Sequence, residues 1–368
     1  MMQRTHVLAA LLSAVLVAGG AQAQIMDTPA SHAVIMDHET GTILFSKHGD
    51  EPMIPASMTK MMTAFLVFEL IDRGEISLTD QFTVSEDAWR RGGFPSGTST
   101  MGLAPGDTPT VEELLHGVII MSGNDACIVL AEGISGSEEA FARRMTTLAH
   151  ELGMTSADFK NATGLEDVGH VVSAEDLAKM AKLTIDKYPQ YYDWYDMPSY
   201  TWREYTQANR NPILSIEGVD GLKTGHTQEA GYGLVGSAKQ GNRRIVFVVT
   251  GLESEDARKQ ESINIVNWAF RQFVQKTVAG EGTRLAEAPV WMGAEPRVGL
   301  VLAKDLEVLM PALAQDRVKA EVSYEGPLRA PIAAGDQVAS LTVSLPDMEP
   351  ITVPLVAEAD VPQGGLLP

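Results

Sequence analysis

Apolar positions along this chain change period several times, and each change marks an element. Ala33-Val34-Ile35-Met36 and Thr42-Ile43-Leu44-Phe45 are short apolar runs joined by Asp37-His38-Glu39-Thr40-Gly41, which predicts a hairpin. After Pro55-Ala56, apolar residues recur at Met58, Met61, Met62, Phe65, Leu66 and Phe68, the spacing of a helix with Ser57 in its first turn. These Met and Phe side chains read as core. Helical signals dominate from about residue 76 to 185. Thr110-Val111-Glu112-Glu113 is a capping box feeding Leu114, Leu115, Val118 and Ile119, and that helix should stop at Ser122-Gly123-Asn124. Further helices are predicted over 138–152 and 174–185, while 90–106, rich in Gly, Ser, Thr and Pro, predicts a long loop able to border a cleft. Strand patterns return at 219–224, 232–238 and 244–250 as antiparallel neighbours, and 264–273 predicts a closing amphipathic helix. The first unit is thus strands, a helical insertion, strands and a helix, an α/β domain over 24–279. At Gly280-Glu281-Gly282 the long helical patterns give way to short alternating runs, which predict a small all-β sandwich over 283–361 and a tail at 362–368.

With 368 residues, 45% hydrophobic and 21% charged, the chain has the composition of a soluble globular protein. Disordered, collagenous and multi-span membrane classes are excluded. Arg4, the apolar run from Val7 to Ala18 and Ala21-Gln22-Ala23 together read as a secretory signal over 1–23, the apolar run being too short to span a bilayer. Export to the periplasm is expected. The leader carries one formal charge, Arg4, so its removal leaves 27 basic against 48 acidic residues, a net −21. Such a surface repels phosphate backbones, and no dense basic run offsets it, so a nucleic-acid partner is not expected. Any anionic ligand must be caught by a few placed cations. Cys127 is the single cysteine and lies in the apolar stretch 126–130, where it reads as a small buried hydrophobe.

Three short motifs carry chemistry. Ser57-Met58-Thr59-Lys60 sets a hydroxyl and an amine one helical turn apart, the spacing of a serine activated by a lysine whose pKa has been lowered. Ser122-Gly123-Asn124 offers a hydroxyl that can relay a proton and an amide that can donate to a carbonyl. Lys223-Thr224-Gly225 closes a predicted strand with a positive charge, a hydroxyl and a glycine that lets a ligand approach the backbone. Each alone is weak, and Ser262-Ile263-Asn264 repeats the second form inside a predicted helix, where it reads as structural. All three in this order and context are expected by chance on the order of 1 in 100.

With these motifs the sequence resembles the serine penicillin-recognising enzymes. Ser122-Gly123-Asn124-Asp125-Ala126, Gln207-Ala208-Asn209-Arg210-Asn211-Pro212, Gly221-Leu222-Lys223-Thr224-Gly225-His226-Thr227 and Pro289-Val290-Trp291 narrow the likeness to the D-alanyl-D-alanine carboxypeptidases of the low-molecular-mass, type-5 penicillin-binding proteins. The resemblance implies a β-lactamase-like transpeptidase domain and a penicillin-acylated carboxypeptidase acting on peptidoglycan stems that end in D-Ala-D-Ala. It implies Ser57 as nucleophile, Lys60 as its base, and backbone N–H groups of Ser57 and His226 as the oxyanion hole. Ser122 is implied to relay the leaving-group proton, and Asn124 to hold the stem. Lys223, Thr224, Gly225 and Arg258 would receive the terminal carboxylate, and Arg210 would lie nearby. The cations are also expected to repel the proton on Lys60 and so to lower its pKa.

Metal and cofactor dependence are not expected, since the eight histidines make no H-E-x-x-H and no G-x-S-x-G elbow is present. A class A β-lactamase also needs a Glu-x-x-Leu-Asn loop, which is missing. A non-catalytic peptidoglycan- or penicillin-binding protein and a D,D-endopeptidase remain the alternatives. The type-5 enzymes usually finish in an amphipathic membrane helix, whereas Gln363-Gly364-Gly365-Leu366-Leu367-Pro368 cannot form one, so membrane attachment stays open.

Overall fold

The structure is a computed structural model that describes residues 3–5, 26–312, 318–344 and 350–365. The chain divides into two compact units, one spanning Met26–Ala269 and the other containing Phe270–Pro368.

In the first unit, His32–Asp37 and Ile43–Lys47 form the expected hairpin, with Ile35 opposite Phe45. The strands Val219–Thr227, Gly231–Gln240 and Arg243–Leu252 complete an antiparallel five-stranded sheet. Arg243–Leu252 joins the two halves by pairing with His32–Asp37, Phe247 opposite Ile35. Strand residues alternate between faces. Val34, Met36, Val246 and Val248 point into the core shared with the helices, while on the opposite face Phe45 meets Trp268, ring centroids 6.2 Å apart.

The helix Lys60–Asp72 is buried from Lys60 to Leu70, more than one apolar stripe requires, because it runs through the middle of the unit. Around it stand Val111–Ile119, Asn124–Ser135, Glu138–Glu151 and Ala174–Lys187. The capping box is present: Thr110 Oγ1 accepts from Glu113 N at 3.2 Å and the Glu113 carboxylate accepts from Thr110 N at 2.8 Å.

Three elements depart from the sequence expectation. The 90–106 loop begins later, because Glu86–Gly92 is helical, with Ser85 accepting from Ala88 N as its cap. The closing helix covers Glu255–Gln272 rather than starting at 264, since Ser254 caps it by accepting from Ala257 N at 3.0 Å. Its first turns are polar, which hides them from an apolar period. The hairpin Ser199–Trp202 and Tyr205–Ala208 was not expected at all, as exposed residues dominate both strands.

The second unit begins before the expected boundary at 283. Phe273–Ala279 pairs with Leu306–Pro311 and so belongs with the β-unit rather than with 24–279. Lys319–Tyr324, Gln337–Ser344, Ile351–Ala357, Arg297–Leu302 and Arg284–Trp291 run side by side in the larger sheet, whose core of Leu300, Leu341 and Leu355 also takes Val308 and Met310 from the smaller one. The expected leader at 1–23 lies outside the described residues except for Gln3–Thr5, which pair with Lys319–Tyr324. In the tail, Gln363 bridges to Gly293, and 366–368 lie outside the described residues. Among the described residues no helix is long and apolar enough to cross a membrane.

The cap gives a direct test of this helix assignment. Thr110→Ala should lower the unfolding free energy by about 1 kcal/mol, read as a lower urea midpoint with an unchanged slope.

Candidate active site

Ser57 sits in a 3-10 turn, Ala56–Thr59, that feeds the central helix. Ala56 is held at φ 48°, in the left-handed region that L-residues avoid. Two glycines press on that turn. A Cβ on Gly225 would lie 2.8 Å from the Pro55 carbonyl oxygen, and one on Gly164 would lie 1.8 Å from that of Ala56. The Lys-Thr-Gly strand and the 161–164 segment therefore flank the serine at backbone contact.

Lys60 is 1% exposed. Its Nζ lies 2.9 Å from Ser57 Oγ and donates to the Thr163 carbonyl at 2.5 Å. Its pKa is brought down to about 8 by burial above all, with Arg210 also lowering it and Cys127, Glu138 and Asp125 acting the other way. The expected cause, repulsion from neighbouring cations, is thus corrected: desolvation is the largest contribution, because a charged ammonium loses its water in this pocket.

The 161–164 segment was not singled out by the sequence, and its turn is built on one amide. Asn161 Oδ1 accepts from Thr163 N, Thr163 Oγ1 and Gly164 N at 3.1, 3.0 and 2.8 Å. That fixes the carbonyl on which Lys60 rests. Glu138 accepts from Ala162 N on the far side, and Thr63 Oγ1 donates to the Ala162 carbonyl.

Ser122 lies at φ 60°, between the Val111–Ile119 and Asn124–Ser135 helices, with its Oγ accepting from Lys223 Nζ at 2.8 Å. Asn124 Nδ2 donates to Thr98 Oγ1, and its Oδ1 is buried without a protein partner. Asp125, which the sequence places in this motif without a role, ties it to the 98–103 loop. Its carboxylate accepts from Thr100 Oγ1 and from the backbone N–H groups of Met101, Gly102, Leu103 and Ala126.

Lys223 is 2% exposed, and burial, with Lys60 next, holds its pKa well below the ordinary lysine value. Thr224 is buried beside it, and its carbonyl accepts from Lys223 Nζ. The His226 ring stacks on Tyr232 at 3.9 Å, and the Arg258 guanidinium lies 5.6 Å from the same ring, so one tyrosine links both residues. Arg258 Nε is buried without a partner. Arg210 donates to Ser99 Oγ at 2.6 Å, which places it on the loop that Asn124 also holds. The second S-x-N copy is structural, as expected: Ser262 Oγ donates to the Arg258 carbonyl inside the helix. Cys127 is fully buried and its thiol is pushed up to about 12, which keeps it neutral.

The structure thus brings the three motifs together. Lys60 meets Ser57, Lys223 meets Ser122, and Gly225 packs on the turn that carries Ser57. A serine hydroxyl, a buried amine of lowered pKa and a cationic strand edge lined by a glycine form an arrangement able to carry out acyl transfer.

Comparison with known proteins gives the same class. Residues 19–254 match the D-alanyl-D-alanine carboxypeptidase peptidase family, and residues 273–363 match the C-terminal domain of penicillin-binding protein 5. D-alanyl-D-alanine carboxypeptidase DacC of Escherichia coli is 36% identical over 93% of this chain and 87% of its own length. The crystal structure of penicillin-binding protein 5 from Haemophilus influenzae superposes with a TM-score of 0.79 at 34% identity, covering 92% of this chain and 99% of that one. Penicillin-binding protein D2 of Listeria monocytogenes, known in an ampicillin-bound form, matches at a TM-score of 0.58 and 29% identity over 67% of this chain and 98% of its own. The chain belongs to the D-alanyl-D-alanine carboxypeptidase family.

One further residue supports the turn that carries Ser57. His170 is buried, its Nδ1 accepts from Lys160 N, and the neutral ring's Nε2–H therefore donates to Thr59 Oγ1 at 2.8 Å. Burial lowers its pKa from 6.5 to about 4. The unfolded chain then binds a proton that the folded one refuses, so stability present at neutral pH is lost as pH falls from 6.5 to about 4. The loss between pH 7 and 4.5 should amount to about 2 kcal/mol, seen by urea unfolding at the two pH values and reduced in His170→Asn.

Proposed function

We propose that Ser57 is the nucleophile with which this D-alanyl-D-alanine carboxypeptidase removes the last residue of peptidoglycan pentapeptide stems. The observation that carries this reading is the 2.9 Å contact between Ser57 Oγ and the Nζ of a lysine whose pKa burial has brought to about 8. A neutral Lys60 takes the Ser57 proton as Oγ bonds to the carbonyl carbon of the penultimate D-alanine. The developing oxyanion faces the backbone N–H groups of Ser57 and His226. The C–N bond then breaks as the proton taken by Lys60 is relayed through Ser122 Oγ to the departing nitrogen, which leaves Lys60 neutral again and Ser122 a hydroxyl, and D-alanine leaves. Water gives a proton to Lys60 as it attacks the ester carbon, the bond from that carbon to Oγ breaks, and Lys60 returns the proton to Ser57 Oγ.

Binding falls to the remaining residues. Lys223, Thr224 and Arg258 receive the terminal carboxylate alongside Gly225, and an incoming anion restores the charge that burial disfavours on Lys223. Asn124 bonds the stem amide through its unpartnered Oδ1, and Arg210 steadies the loop above. In β-lactams the strained amide replaces the peptide, so the same serine is acylated and these antibiotics act as covalent inhibitors. Residues 1–23 direct the chain to the periplasm, where such stems are found.

Two measurements test this. A fluorescent penicillin should label the intact protein and not Ser57→Ala, and mass spectrometry of pentapeptide muropeptides should show loss of one alanine; cleavage of cross-links instead would make the protein an endopeptidase. In addition, kcat/KM should rise with pH to a plateau, with a midpoint near 8, falling about tenfold per pH unit below it. A flat profile between pH 6 and 9 would remove Lys60 as the base.

A further inference from the structure

Two buried carboxylates, Asp125 and Glu138, act on the charge of Lys60, and both favour its protonated form. A base that must be neutral is hindered by either. Asp125 is saturated by four N–H groups and a hydroxyl, which gives its burial a local reason. Glu138, 6% exposed, is held differently.

Its carboxylate is bonded on two sides. One oxygen accepts from Ala162 N at 3.1 Å, and the next carbonyl along that segment, of Thr163, is the one that receives Lys60 Nζ. The other oxygen pairs with the Arg91 guanidinium. Ser137 caps the Glu138–Glu151 helix by accepting from Ala140 N at 3.2 Å, which fixes the point from which the carboxylate reaches the turn.

Arg91 comes from a different element, the Glu86–Gly92 helix, where Asp87 also accepts from it at 3.1 Å. The next residue, Gly92, backs onto the Asn124–Asp125 backbone so closely that a Cβ would overlap Asp125 N. The ion pair therefore joins the helix packed against the Ser122-Gly123-Asn124 motif to the turn on which Lys60 rests. Arg91 also faces the exposed Glu139. Lys60 itself further faces Arg210 and Lys223, which disfavour its proton, and Cys127 and His170, which burial keeps neutral.

We infer that Glu138 and Arg91 act together as positioning residues for Lys60: the carboxylate clamps the turn that presents the Thr163 carbonyl, and the guanidinium offsets a negative charge that would otherwise keep the amine protonated. The clamp needs an acceptor, and the acceptor needs a counter-charge because it lies beside a base. This deepens the proposed carboxypeptidase mechanism and rests on it.

The test is the pH dependence of kcat/KM for D-alanine release from pentapeptide muropeptides. Glu138→Gln retains an acceptor for Ala162 N and removes the charge, so the midpoint should fall by about one pH unit and kcat/KM at pH 7 should rise about fivefold, with the plateau kept within about threefold. Arg91→Met should move the midpoint the other way, by about half a unit, since that side chain is half-exposed and solvent screens it. Arg91→Met/Glu138→Gln, with neither charge, should lie between the two. Lower plateaus with unmoved midpoints, or shifts of the same sign in both single variants, would make the pair a packing contact and overturn the inference. Because Arg91 is near the surface, Arg91→Met decides the matter if Glu138→Gln does not fold. A flat profile or no D-alanine release in the unmodified protein would instead remove the reading on which the inference rests, and the inference with it.

Discussion

An ammonium group that has lost its water is the constraint on which this structure turns. Lys60 lies at the start of a helix buried on all sides, and an isolated charge there would be costly. The protein offers the amine one carbonyl, that of Thr163, and one hydroxyl, that of Ser57. Two neutral acceptors do not compensate a full charge, so the proton is held loosely. In the proposed mechanism the reactivity of Ser57 is a consequence of that shortage. Much of the surrounding architecture keeps the shortage in place, from the Asn161 turn that aims the carbonyl to the glycines that bring two backbones against the serine turn.

The charge distribution follows the same logic at larger scale. A chain with a net charge of −20 places Lys60, Lys223 and Arg258 in its interior, each with its pKa lowered first by burial. An acidic exterior does not attract an acid-terminated peptide, so under the proposed function recognition of the carboxylate falls to buried cations, which gain more from an arriving anion than exposed ones would.

Much of this was legible in the sequence because the motifs carry their own geometry. Ser57 and Lys60 are one helical turn apart, and the strand patterns around Lys223 located the sheet. The capping box at Thr110 was readable for the same reason, as its two bonds are local. What escaped was tertiary. Thr163 acts through a carbonyl, which every residue possesses, so no side-chain pattern marks it. Asp125 stood in a recognised motif, but nothing local showed that it gathers four N–H groups and a hydroxyl. The cause of the Lys60 shift was misjudged because cations can be counted in a sequence, whereas burial cannot. The β-unit boundary was drawn late because Phe273–Ala279 follows the helix without a break and owes its strand form to a partner more than twenty-five residues away.

Ala56 and Ser122 share one feature: both have positive φ without being glycine, and they lie at or beside the two serine hydroxyls that Lys60 and Lys223 contact. Such conformations persist only where neighbouring contacts enforce them. The fold therefore spends part of its stability at its centre of reactivity. Selection for heat resistance alone would tend to relax these two corners, and a sturdier descendant would be a slower one.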